Sequence, residues 1–327
     1  MAWTLSELSK IETDPLRKSV IDGLLMESDL MGFVPWETIG TLSTSVVRYK
    51  DLPSFGYRKV NAGFDESTGT FEQKVETISL GGLDIDTDKA IARAKNTIAD
   101  ARAVQQTMAL KSAAYQFNWK FIAGNPVNDP EEFKGLTERV NDINNEGYTD
   151  QLFLTSVTAG EGILYSSANS QNFLNDVDKL IYAIDGHNPD YLLMNKKLLL
   201  ALRALLRKEK MLNQAQDQFG RLIDMYGNTK LVDIGVRADQ STEIILNTET
   251  AAGAVTGGTE CTSMYAVKFG IGDELWGIQE YPMEVTDLGE LQTAPKYRTR
   301  IDWPHGLAMV SPRCIARMYG IIPDSSA

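Results

Sequence analysis

Residues 83–123 read LDIDTDKAIARAKNTIADARAVQQTMALKSAAYQFNWKFIA, with no Pro and no Gly. Ala90, Ile91, Ala94, Ile98, Ala101, Met108 and Ser112 recur at three- and four-residue steps, the helical period. Asp84, Asp86 and Asp88 stand at the start, where acidic side chains complement the positive end of a helix dipole. Thr87 or Asp86 is placed to cap the free N–H groups. Gly124 offers a C-cap, and Pro126 stops continuation. An unbroken helix over about 87–122 would measure about 54 Å. A compact globule of this length has a radius of gyration of only about 20 Å. One helix therefore crosses the molecule, which points to an extended plate with a rod through it. The stripe is Ala-rich and ends in Tyr115, Phe117, Trp119 and Phe121, suited to lying on a sheet.

On the N-terminal side, residues 45–82 predict a two-stranded arm. SVVRYKDLPSFGYRKVNAGF is rich in β-branched and aromatic residues, FEQKVETISLGG answers it, and Asp65-Glu66-Ser67-Thr68-Gly69 forms the tip. Each strand would reach several tens of Å at about 3.3 Å per residue. A lone hairpin is marginal in water, so a protruding one calls for a partner surface. Residues 1–44 predict a further arm. A short helix around Asp14–Ser28 presents Leu16, Val20, Ile21, Leu24 and Leu25 on one face, and Phe33–Ile39 runs extended, to be covered by the chain's own body or a neighbour.

On the C-terminal side, a loop closes into Phe133-Lys134-Gly135-Leu136. A helix is expected from about Gln171 to Ile184, then a buried strand in PDYLLMN. Asn195 caps the apolar helix KKLLLALRALLRKEK, and strands follow in GRLIDMYGNTKLVDIGV, STEIILNTE and SMYAVKFGIGDELWGIQ. Helix–strand alternation over roughly 173–280 sets apart an α/β unit. The tail returns to long strands, with Tyr297, Thr299, Ile301 and Trp303 on one face and Arg298, Arg300 and Asp302 on the other.

Composition limits the function. The 327 residues are 43% hydrophobic and carry a formal charge of −12, which describes a folded protein and argues against a dedicated nucleic-acid reader, whose phosphate contacts need clustered cations. The richest apolar run, Leu198–Leu206, is too short and too charged to span a bilayer. The N-terminus lacks a signal-peptide core. Cys261 and Cys314 sit in no metal-ligand spacing and read as buried thiols of a reduced compartment.

Catalysis finds no foothold. His187 lies in a turn and His305 beside Trp303, and neither has ligand-spaced neighbours. Asp84, Asp86 and Asp88 mimic a calcium loop, but Lys89 and Lys95 occupy the places of its Gly and Glu. Phe269-Gly270-Ile271-Gly272 begins like a dinucleotide fingerprint, but Leu275 replaces the third Gly. No catalytic, cofactor-binding or metal residues are therefore assigned. Arg48, Arg58, Lys59, Asp65, Glu66 and Glu72 on the hairpin, with Arg298 and Arg300 on the late strand, stand as candidates for contacts between subunits, since charges at period two pair across strands or subunits.

The order of arm, hairpin, molecule-length helix, α/β unit and strand return resembles the major capsid proteins of tailed bacteriophages, the Hong Kong 97 fold. The strings TDPLRKSVI (13–21), GYRKVNAGFDESTG (56–69), LGGLDIDTDK (80–89), FKGL (133–136), YLLMNKKL (191–198), DLGELQTAPKYRTRIDW (287–303) and GLAMVSPRCIARMYGI (306–321) are similar to its major structural phage protein branch. The resemblance implies an α+β capsid fold divided as 1–44 N-arm, 45–83 E-loop hairpin, 84–172 P-domain with a spine helix about 87–122, 173–281 A-domain, and 282–327 P-domain strand return. It implies a non-enzymatic subunit that self-assembles into hexamers and pentamers of an icosahedral shell around double-stranded DNA, held by proximity and not by specific contact. The expected partners are the chain itself, a separate scaffolding protein or none, a portal and decoration proteins. The expected place is the virion, assembled in the host cytoplasm, with no membrane. The alternatives are an encapsulin-type compartment shell and, behind it, a soluble α/β enzyme.

Overall fold

In the computed structural model, residues 28–92, 101–158, 160–216, 222–249 and 260–323 are described. The expected helix at 14–28 thus lies almost wholly outside the described residues, as does the middle of the expected long helix. Helices α1 (Asp29–Phe33), α2 (Lys89–Ala92), α3 (Ala101–Ala123), α4 (Leu136–Asn145), α5 (Ser167–Tyr182) and α6 (Lys196–Lys208) accompany strands gathered into three sheets.

In chain order the strands are β1 (Trp36–Thr38), β2 (Ser43–Asp51), β3 (Thr70–Thr77), β4 (Ser79–Asp88), β5 (Leu152–Leu154), β6 (Tyr191–Met194), β7 (Asn213–Gln216), β8 (Leu222–Tyr226), β9 (Thr229–Asp233), β10 (Thr262–Val267), β11 (Leu275–Gln279), β12 (Glu284–Glu290), β13 (Lys296–Met309) and β14 (Ile315–Ile321). Strand β13 organises the first sheet. Its whole N-terminal part pairs with β4 on one edge, while β12 and then β11 follow one another along the other edge. β1 adds parallel to β11. From Ser28 onward the arm therefore docks on the chain's own body, with helix α1 replacing the start of the expected extended run. The ring of Trp36 lies so close over Gly277 that a Cβ there would stand 2.5 Å from it, which explains the glycine in the middle of a buried strand.

The second sheet has seven strands in the order β5-β14-β10-β6-β9-β8-β7. Alternation sorts its side chains: Leu193, Tyr265 and Val267 join the core that holds α3 and α4, whereas Leu192, Met194, Met264 and Ala266 join the core under α5 and α6. Asn195 caps α6, its side chain accepting from the Leu198 N–H. The 173–281 division remains a proposal; this sheet takes β5 from before it and β14 from after it, and β11 inside it belongs to the first sheet.

Three expectations need correction. The aspartates at 84–88 do not start a helix: β4 continues to Asp88, and only Asp88 accepts a helix N–H, from Ala90. The hairpin strands are shorter than expected. β2 ends at Asp51, ahead of Pro53, which cannot donate to a ladder, and of Gly56 and Gly63. The third concerns STEIILNTE, which contributes isolated bridges only, at Glu243 and Glu249. Helix α4 was not expected; it is mostly polar, and buries Leu136, Arg139, Val140 and Ile143 along one stripe. Gly135 starts it against the end of α3, where a Cβ would stand 2.6 Å from the Gly124 nitrogen.

Candidate interaction surfaces

The two-stranded sheet β2–β3 leaves the body as a hairpin whose base is fixed by charge. Period two puts Glu72, Lys74 and Glu76 on one face of β3. Arg48, the register partner of Glu72, has a side chain only 8% exposed and donates to Glu72 (Nε at 3.0 Å) and to Glu146 at the end of α4. Lys74 reaches Glu72 at 2.9 Å and Glu146 at 3.0 Å. Hydrogen bonds from Lys74 and then Arg48 pull the Glu72 carboxyl down to about 2. Deeper, Arg139 of α4 grips Glu76 with both arms of its guanidinium (2.6 and 2.8 Å) and donates to the Leu307 carbonyl at 2.9 Å, with a side-chain exposure of 3%. Hairpin, helix α4 and strand β13 meet at this one cation.

Beyond the base the hairpin is uncovered. Leu52, Phe55, Tyr57, Val60 and Phe64 are 69–95% exposed. The tip is held internally by Ser54 N–H donating to Ser67, by Arg58 donating to the Ala62 carbonyl and lying 5.0 Å over the Phe64 ring, and by an edge-on Phe55–Tyr57 pair. Lys59, Asp65 and Glu66 are exposed at the same tip.

Arg298 and Arg300 project from β13 opposite Asp86 and Asp84 of β4 and form two-armed pairs with them at 2.7–2.9 Å. These arginines hold both carboxyls below the ordinary aspartate range. Both cations are thus engaged with a neighbouring strand of the same chain, on a solvent-facing surface. Of the other candidates, Arg48 and Glu72 sit in the hairpin base and Arg58, Lys59, Asp65 and Glu66 at its tip.

A cavity of about 380 Å³ opens between α3, β4, β13 and the 129–133 loop. Phe117, Met283 and Trp303 form its walls; Asp129 and Glu131 stand at its rim, and Glu132 is tied to Lys120. His305 borders it, stacked on Trp303 with ring centroids 4.0 Å apart and its Nδ1 2.8 Å from the Trp303 carbonyl. Burial among these rings lowers its pKa to about 4. The native ring is therefore neutral where the unfolded one takes up a proton. Subunit stability should fall as pH drops from 6.5 toward 4, by at most about 3 kcal/mol, less because one side faces the cavity. Urea midpoints at pH 7 and 4.5 measure this; a His305→Phe chain with the same pH slope as the wild type would refute the assignment. His187 is exposed, its ring beside Tyr182. Cys261 and Cys314 are buried free thiols. Among the described residues no three His, Cys, Asp or Glu side chains converge as metal ligands, and no helix is long and apolar enough to cross a membrane.

Residues 18–168 match the family model of major capsid protein GP7. The fold aligns, at 12% identity throughout, with the encapsulin SrpI of Synechococcus elongatus PCC 7942 (TM-score 0.62, 91% of this chain and 88% of that one), with the capsid of a native GTA particle (0.58, 91% and 90%) and with a chain of Microbacterium phage Oxtober96 (0.58, 90% and 90%). The chain is a capsid shell protein of the Hong Kong 97 fold. No curated protein matches the sequence. The features above acquire meaning as parts of a shell protein: its work is structural, self-assembly through surfaces, and among the described residues the hairpin carries the most exposed large apolar side chains. Sequence reasoning placed the hairpin and its charged residues but missed the cavity, Arg139 and the clasp onto Glu146. The one available signal was the Glu72-Lys74-Glu76 alternation, which shows a charged face and not its partner.

Proposed function

We propose that this shell protein is the repeating tile of the icosahedral head of a tailed phage, arranged as hexamers and pentamers around packaged double-stranded DNA. The carrying observation is the match of residues 18–168 to the family model of major capsid protein GP7, since the fold alone is shared with an encapsulin. In this reading the A-domains (173–281) meet at local symmetry axes. The E-loop hairpin lies across the P-domain of the next subunit, where its exposed apolar tip gains the partner that the single chain does not provide. The formal net charge of −12 suits a lumen from which DNA must enter and leave. Assembly takes place in the host cytoplasm, with a portal, decoration proteins and a separate scaffolding protein or none.

Arg298, Arg300 and the E-loop charges retain a proposed role between subunits. The β4–β13 pairs lie on the surface, where ion pairs add little to folding, and the exposed atoms of Arg298 and Arg300 remain open to a neighbour. Electron microscopy of the full chain expressed with or without its neighbouring genes tests the reading. Closed shells are expected; a persistent monomer under every assembly condition would refute it. Adjacent terminase and portal genes, as opposed to a cargo enzyme, separate the phage head from an encapsulin.

A further inference from the structure

The cavity beside α3 has three chemically distinct parts. Phe117, Met283 and Trp303 give it an apolar wall. At its rim Lys120 is paired with Glu132, whereas Asp129 and Glu131 are exposed and form no ion pair among the described residues. His305 borders it with its ring held in place, stacked on Trp303 and flanked by Phe117 and Phe133 with ring centroids 5.6 and 5.3 Å away. A carbonyl oxygen only accepts, so the contact with Trp303 makes Nδ1 the protonated nitrogen. Nε2 is then a lone-pair acceptor, and it has no partner among the described residues. β4 makes room for the ring at Gly81, where a Cβ would stand 2.9 Å from His305 Cε1. We infer that this cavity binds a small organic cation with a hydrogen-bond donor at its far end. The ammonium meets Asp129 and Glu131, an apolar body lies along Phe117 and Trp303, and the donor reaches His305 Nε2.

Each part selects against other occupants. At about 380 Å³ the recess falls in the size range of small-molecule sites and has room for a ring-sized body. An anion would be repelled by the two unpaired carboxylates. A purely apolar ligand would cover Nε2 without a donor and leave a polar group unsatisfied. A metal ion finds no set of three converging ligands among the described residues. The class that answers wall, rim and acceptor together is an arylalkylamine carrying a hydroxyl, of which tyramine is a simple representative. The inference concerns the single folded chain and does not depend on the shell reading.

The test uses the full chain as unassembled subunits and probes of one shape: tyramine, phenethylamine, which lacks the phenol, and 4-ethylphenol, which lacks the ammonium. Calorimetric titration should show a single saturable tyramine site, with the other two probes each bound about tenfold more weakly. Asp129→Asn with Glu131→Gln should weaken tyramine about tenfold and leave 4-ethylphenol unchanged. Both residues are exposed, so the melting temperature without ligand should stay at the wild-type value, which separates a lost site from misfolding. Ser112→Trp, at an exposed position on the cavity wall, fills the recess and should abolish binding of all three probes. Tyramine should also raise the wild-type melting temperature in proportion to its occupancy of the folded state. No binding by any probe, tyramine binding that survives Ser112→Trp, or 4-ethylphenol bound as tightly as tyramine would overturn the assignment. Failure of the chain to form shells would instead count against the proposed function and leave this site as it stands.

Discussion

Replacing Arg139 by Met should lower subunit stability by about 3–5 kcal/mol, the cost of breaking a buried ion pair from one side. The substitution keeps the aliphatic stem, so the loss comes from charge and hydrogen bonds. Glu76 is left with its carboxylate in a site only 13% exposed, and the buried Leu307 carbonyl loses its donor. Adding Glu76→Gln should recover part of the loss, because the stranded charge is removed, so the double variant falls short of additivity. Urea unfolding of unassembled subunits measures the first effect. Faster amide exchange over β3, residues 70–77, measures the second consequence, a hairpin released from α4. A loss under about 1 kcal/mol would show that water already reaches the pair and that the hairpin is held by its other contacts.

Replacing Trp303 by Ala should cost about 3–5 kcal/mol, the range for emptying a buried aromatic site. Its ring lies 5.0 Å from Trp36, 5.4 Å from Phe117 and 4.0 Å from His305, so one side chain joins β1, helix α3 and the long strand β13. Its indole N–H also donates to the buried Gln279 side chain at 3.1 Å, which is left unsatisfied in the variant. Trp303→Phe keeps most of the packing and should lose only about 1–3 kcal/mol, chiefly through Gln279. Equal losses from the two variants, read from denaturant midpoints, would mean that the hydrogen bond and not the ring stack dominates.

Local patterns carried much of the architecture. The apolar helix after Asn195 and the alternation of Tyr297 to Trp303 each follow a single period that burial matches, and Tyr191–Met194 is a short apolar run buried at every position. Helix α4 escaped because its stripe is thin and its start at Gly135 has no side-chain cap.

The aspartates at 84, 86 and 88 mark the boundary between the two kinds of information. As a local string they are indistinguishable from the charged first turn of a helix. Arginines more than 200 residues later, at matching register on β13, make the same string a strand. The sequence by itself determined the α3 helix, the paired hairpin strands and the capped helix α6, because periodicity and chain stiffness act over neighbouring residues. Only the tertiary structure decided the edge of β13 on which β4 lies, the clasp of Arg139 and Glu146 on the hairpin, and the acid-rimmed cavity. Each of these joins segments far apart in the chain, and no local spacing records which distant partner satisfies a charge or covers a face.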